Sequence, residues 1–277
     1  MAALIGMLVA AAFGSGDFLG GLASRHSRTL PVLAIAQVVA LLGALVVALL
    51  GGGDLSGRAF GLGATAGLLN VGALGCLYRG LAIGRIGQVA PVAAVVGAIV
   101  PITWGLATGE RPSTPVLVGV GLAVVAGALV SSEREERPES LFDRGLFLAV
   151  AAGVGFGASF ILFAATPHNS GFWPVLCARM AAAAGVLVVI LVLRVSPSVP
   201  VGPRRQAIAA GGLDVVATTL LLVALRHGFT VVVAPVASLA PGFTVVEAWW
   251  FLHERASRVQ KVGLVIALVG LALIAAG

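Results

Sequence analysis

The sequence predicts an all-α polytopic membrane protein whose ten transmembrane helices form two inverted five-helix repeats. Three observations lead to this prediction. The first is composition: 59% of the 277 residues are hydrophobic and 10% are charged, which leaves too little polar surface for a soluble domain of this length. The second is a succession of apolar segments of roughly 20 residues, the length that crosses a bilayer. The third is an internal duplication, in which residues of the first half recur in the second at a constant offset.

Each predicted span is a continuous apolar run bounded by turn or charged residues, such as Gly-Gly-Gly-Asp at 51–54. The runs lack the alternation of outer-membrane strands, which favours helices. The ten predicted spans are 2–24, 32–50, 59–82, 90–108, 115–131, 145–166, 173–193, 206–227, 231–252 and 259–276.

The duplication divides the chain into a first repeat at 1–131, a polar linker at 132–144 and a second repeat at 145–277. Asn70 corresponds to Asp214, and the run Val-Ala-Pro-Val-Ala at 89–93 recurs at 233–237. Because five is an odd number, the second repeat enters the bilayer inverted, and the basic loop residues reverse sides in agreement. Inverted repeats are the construction of many alternating-access transporters.

Several other classes of protein are excluded or disfavoured. The net charge of +6 comes from basic residues scattered over loops, which does not indicate a nucleic-acid surface. Two cysteines, Cys76 and Cys177, are too few for a metal cluster, and we expect neither metal nor cofactor. Gly14-Ser15-Gly16-Asp17 is similar to a motif of intramembrane aspartyl proteases, but no second aspartate precedes it, so we expect no enzyme.

Polar side chains inside the apolar spans are the candidates for a binding site. A charge at the centre of a membrane helix costs ~2.5 to 3.5 kcal/mol on insertion scales, so it normally faces a partner or a watery cavity. The substrate-binding candidates are Asp17, Gln37, Asn70, Tyr78, Trp104, Arg179 and Asp214.

Each candidate has a structural alternative. Asn70 and Asp214 occupy equivalent places and are expected at a central cavity, or else they tie neighbouring helices together. Arg179 either binds a substrate carboxylate or neutralises Asp214. Tyr78 and Trp104 are cavity walls or plain packing.

Structural alternatives also apply to the charged residues Asp17, Arg79 and Glu247. Asp17 is a site residue or the ion-pair partner of Arg79, two helices away. Glu247 lies near the end of its span, where its carboxylate can reach interfacial water or a basic loop residue. It therefore ranks below the other residues as a candidate for the binding site.

Prolines predict where helices bend. Pro101 falls inside the fourth span, and Pro241 with Gly242 inside the ninth, its counterpart in the second repeat. Because proline removes a backbone hydrogen bond, we expect hinges at these positions.

The chain resembles the EamA family of the drug/metabolite transporter superfamily. The resemblance lies in the segment Phe13-Gly14-Ser15-Gly16-Asp17-Phe18, in Ala-Pro-Val at 90–92 and 234–236, and in the Gly-Glu-Arg and His-Glu-Arg turns that follow. Asp17 falls where many relatives have an uncharged residue such as asparagine.

The resemblance implies a multi-pass protein of the bacterial inner membrane that exports small amphipathic metabolites. Amino acids are the first candidates for the substrate. The alternative is a multidrug exporter of lipophilic cations. The partners implied are the lipid bilayer, a small-molecule substrate and protons, the last through Asp17 or Asp214. Facilitated passage without protons stays open at this point.

Overall fold

Every regular element in the described part of the chain is helical. The computed structural model describes residues 2–83, 86–131, 144–196, 198–252 and 257–276, so most of the predicted linker lies outside it. The elements are α1 (Ala2–Arg25), α2 (Thr29–Gly51), α3 (Gly57–Ile83), α4 (Ile86–Ala107), α5 (Thr114–Ser131), α6 (Arg144–Ala164), a 3-10 turn (His168–Ser170), α7 (Trp173–Leu193), α8 (Val201–His227), α9 (Thr230–Ala237), α10 (Ala240–Leu252) and α11 (Arg258–Ala276). The predicted fold class, an all-α polytopic membrane protein, is confirmed.

The helices have the length and apolarity that a bilayer requires. Seven segments among the described residues are at least 18 residues long and apolar enough to span it, with α9 and α10 counted together as Thr230–Leu252. Two shorter apolar helices, Val92–Ala107 and Thr114–Val130, lie within α4 and α5.

The ninth predicted span differs from the expectation of one continuous helix. It is divided into α9 and α10, with Ser238 and Leu239 between them. The ring of Pro241 has no N–H to donate and would meet the carbonyl four residues earlier, so the helix is interrupted just before it. Pro241 and Gly242 therefore lie in the first turn of α10 rather than in the middle of a helix. By contrast, Pro101 is buried inside the uninterrupted α4.

Helix packing is similar in the two halves. α1 packs along α8 as α6 packs along α3, while α2 contacts α7 and α8, and α7 contacts α2 and α3. α5 and α11, the last helices of the two predicted repeats, pack against each other.

Small residues allow the close approaches within this packing. A Cβ on Gly67 of α3 would overlap the backbone of Ala178 on α7, and a Cβ on Gly211 of α8 would overlap the backbone of Ala36 on α2. Such contacts hold helices together in lipid, where apolar burial alone does not drive association.

Backbone and carboxylate hydrogen bonds join loops at the face where α1 begins, which we call the N face. The Asp54 amide donates to the Asn169 carbonyl at 2.9 Å, and Trp173 Nε1 donates to the Gly53 carbonyl at 3.1 Å. The Glu110 carboxylate accepts hydrogen bonds from the Thr230 and Val231 amides at 2.9 and 2.8 Å. It thus caps the first turn of α9, where the backbone amides have no partner within the helix.

Candidate functional site

A cavity lies in the middle of the helix bundle, between α1, α3, α6, α7 and α8. Its walls are mostly apolar or small, with four polar side chains among them. The lining residues are Phe13, Ala66, Gly67, Asn70, Ser159, Phe160, Phe163, Ala178, Arg179, Ala182, Thr218 and Leu221. Helices from both predicted repeats thus contribute to one site.

The cavity is small in this conformation. It offers about 20 Å³ to the centre of a water molecule, which is room for roughly one water. A larger solute therefore requires the surrounding helices to move apart.

The charged centre of the site is a pair formed by Arg179 on α7 and Asp214 on α8. Arg179 Nη1 lies 2.5 Å from Asp214 Oδ2, and Nη2 lies 3.1 Å from Oδ1. This two-pronged geometry is the strongest arrangement for a guanidinium and a carboxylate. The side chains are 8% and 25% exposed, so both charges are largely removed from solvent.

Thr218 completes this network on α8. Arg179 Nη2 also donates to Thr218 Oγ1, whose own hydroxyl donates to the Asp214 carbonyl at 2.9 Å. Arg179 Nε is buried and has no hydrogen-bond partner in the described structure. The Nε–H of the guanidinium is therefore available to another acceptor.

Asn70 and Arg179, both candidates from the sequence, line the same cavity. Asp214, the repeat counterpart of Asn70, reaches the cavity through its pair with Arg179. Gln37 is 8% exposed and its Oε1 has no partner in the described structure, but it is not among the lining residues.

The remaining candidates lie elsewhere. Asp17 is one turn beyond Phe13 on α1, is exposed, and interacts electrostatically with Asp214. Trp104 is 50% exposed and does not line the cavity. The side chain of Tyr78 is outside the described set. Arg79 is exposed.

Apart from Asn70 and Arg179, the lining residues were not site candidates from the sequence. Thr218 was within reach of sequence reasoning, since it follows Asp214 by four positions and so shares its helix face. Ser159 was also detectable as the repeat counterpart of Ser15. The phenylalanines Phe13, Phe160 and Phe163 carry no such signal within apolar spans.

Comparison with known proteins identifies the family. Residues 143–276 match the model of the EamA-like transporter family. The resemblance to this family seen in the sequence is thereby confirmed over the second predicted repeat.

A likeness in fold extends over nearly the whole chain. A crystal structure that is 18% identical in sequence aligns over 98% of this chain and 95% of its own, with a TM-score of 0.78. This likeness shows a shared fold. No curated protein matches the sequence.

Proposed function

We propose that the transporter exports small amphipathic metabolites, with amino acids as the first candidates, from the cytoplasm of a bacterium across the inner membrane. The observation that carries the proposal is a mostly apolar cavity lined by Asn70 and by Arg179, which is paired with Asp214. A few polar groups among apolar walls are typical of a small-molecule site.

The chemistry of the cavity suits a zwitterion with an apolar side chain. The free Nε of Arg179 donates to the solute carboxylate, and oxygens of Asp214 and Asn70 accept from its ammonium group. Phe13, Phe160 and Phe163 then cover the apolar side chain. Since Arg179 and Asp214 neutralise each other, a solute without net charge fits the site best.

A second candidate function is export of lipophilic cations. The exposed carboxylate of Asp17 near the cavity favours it, because a carboxylate beside aromatic side chains attracts cations. The guanidinium of Arg179 opposes it.

We further propose that transport proceeds by alternating access. Two features support this mechanism: helices of both predicted repeats line one cavity, and α10 is set off from α9 by a break. Helix movements around the cavity would expose it to one face at a time.

Exchange of labelled solute in liposomes tests the proposed function. Purified transporter is expected to exchange neutral amino acids across the vesicle membrane, and Asn70→Ala to weaken this exchange about tenfold or more, as for the loss of a hydrogen bond to a charged group. Leu68→Ala is the matched control, since Leu68 lies on the same helix but is 54% exposed on its outer side. Exchange of quaternary ammonium compounds with none of amino acids would favour the second candidate, and exchange of neither would contradict both.

A further inference from the structure

A second polar contact joins α1 to α10, apart from the central cavity. Ser15 Oγ donates to Glu247 Oε1 at 2.5 Å. One helical turn earlier on α10, Thr244 Oγ1 donates to the Gly14 carbonyl at 2.9 Å. Glu247 Oε2 is buried and has no hydrogen-bond partner in the described structure. Neither Ser15 nor Glu247 lines the cavity.

The geometry is poorly matched to an ionised carboxylate. A buried charge needs hydrogen-bond donors on both oxygens, and here only Oε1 has one. A proton on Oε2 removes the charge and leaves the Ser15 hydrogen bond intact. Oε2 is therefore the oxygen that can carry a proton without loss of the Ser15 hydrogen bond.

The repeat shows that helix packing does not require the carboxylate. At the offset of the internal repeat, Ser159 corresponds to Ser15, and Thr103 corresponds to Glu247. There, Ser159 donates to the Phe156 carbonyl, and Thr103 donates to the Ile99 and Val100 carbonyls of its own helix. The interface between α4 and α6 thus forms without a carboxylate.

The charged groups around Glu247 are few. Asp17 lies two residues beyond Ser15 on α1, and Arg258 and Lys261 are exposed at the start of α11. α5, which also contacts α10, contains no titratable residue. His253, Glu254 and Arg255 lie outside the described residues.

We propose that Glu247 is the proton-binding site of the transporter and couples solute movement to a proton gradient. This inference rests on the proposed function. The Glu247 carboxylate takes one proton from water at one face to become a neutral carboxyl group, and returns it to water at the other. Ser15 lies two residues from Phe13 of the cavity, so α1 links the proton site to the solute site.

The break before α10 gives the proton site a way to open. α10 is separated from α9 by Ser238 and Leu239, so α10 can shift against α1 while α9 stays in place. Separation of α1 and α10 breaks the Ser15 contact, admits water to Glu247 and favours loss of its proton.

The test compares two transport rates in liposomes, using the neutral amino acid that the exchange assay identifies. One is exchange at equal pH, and the other is accumulation driven by a pH gradient, in either direction. One pH unit drives about tenfold accumulation if one proton moves per solute. We expect Glu247→Gln, which keeps an acceptor for Ser15, to abolish this accumulation relative to exchange. Thr103→Val, at the counterpart position, is the control and keeps the wild-type ratio.

The outcomes separate the two proposals. Exchange without gradient-driven accumulation in the wild type, or accumulation by Glu247→Gln at the wild-type ratio, overturns the proton site and leaves the proposed function standing. Absence of exchange in the wild type overturns the proposed function instead. Infrared difference spectra between acid and alkaline pH provide a readout that needs no solute: the wild type is expected to show a protonated carboxyl band that Glu247→Gln lacks. Identical spectra would overturn the proton site.

Discussion

At the scale of single residues, the site depends on two opposite charges that each need the other. Arg179 is 8% exposed and makes both of its carboxylate contacts with Asp214. Removal of one partner leaves the other as an uncompensated charge among apolar helices, which is far costlier than the net value of the pair.

This argument predicts non-additive stability losses. Arg179→Ala and Asp214→Ala are each expected to lower the free energy of unfolding by ~3 to 5 kcal/mol. The double variant is expected to lose less than the sum, because neither charge is then left alone. Reversible chemical unfolding in detergent measures all three. Losses that simply add would show that the two side chains do not depend on each other.

Sequence reasoning points to polar cavity-lining residues more readily than to apolar ones. The cost of burying Asn70 and Arg179 in a membrane made them candidates, and the repeat made Asn70 and Asp214 a pair. Phe13 and Phe160 line the same cavity, but phenylalanine in an apolar span is unremarkable until neighbouring helices are placed. Trp104 was expected in the cavity wall because it lies within a span, although it is half exposed. That these residues bind solute stays a prediction.

At the scale of elements, contact between α3 and α7 depends on the absence of side chains. A Cβ at Gly67 would come within 2.7 Å of backbone atoms of Ala178, and a backbone cannot yield as a flexible side chain does. Gly72 on the same helix would meet nothing within 4 Å.

We therefore expect Gly67→Ala and Gly72→Ala to differ in sign. Overpacking at Gly67 is expected to destabilise the protein by about 1 to 3 kcal/mol. Alanine at Gly72 is expected to be neutral or to stabilise the helix by up to roughly 1 kcal/mol. Unfolding in detergent compares the two. Equal effects would mean that α3 and α7 do not approach as closely as described.

The other informative element is the interrupted ninth span. Counting apolar residues predicted its ends well but not its division, because hydropathy does not register a missing backbone donor. In the sequence, Pro241 is the only signal of the break, and it predicts a hinge within one helix. Whether it bends during transport stays a prediction.

Pro241→Ala tests that hinge. Alanine restores the N–H and removes the ring, so α9 and α10 are expected to join and the exchange rate to fall, while solute affinity changes little. Pro101→Ala is the comparison at the counterpart span, where the helix is already continuous. The measurement compares the solute exchange rates of the two variants in liposomes. Undiminished exchange in Pro241→Ala would remove the hinge from the mechanism.

At the scale of the whole molecule, hydrogen bonds join the two halves at the N face. Glu110 caps α9, and Trp173 donates to the Gly53 carbonyl. Within the second half, Arg226 donates to the Pro167 carbonyl and to Ser170 Oγ, both at 3.2 Å. Together with the Asp54–Asn169 contact, these bonds hold the loops together there. An alternating-access cycle requires these contacts to break when the cavity opens to the N face.

Labelling of Asn70→Cys, after replacement of Cys76 and Cys177 by alanine, tests the shared central cavity most directly. Leu68→Cys is the control, because a residue two positions away lies on roughly the opposite side of α3. We expect a membrane-impermeant maleimide to modify Asn70→Cys when applied from either face, and transported solute to protect it, while Leu68→Cys in lipid stays unreactive. Failure of Asn70→Cys to react from both faces, or labelling that solute does not slow, would contradict a single site shared by the two halves.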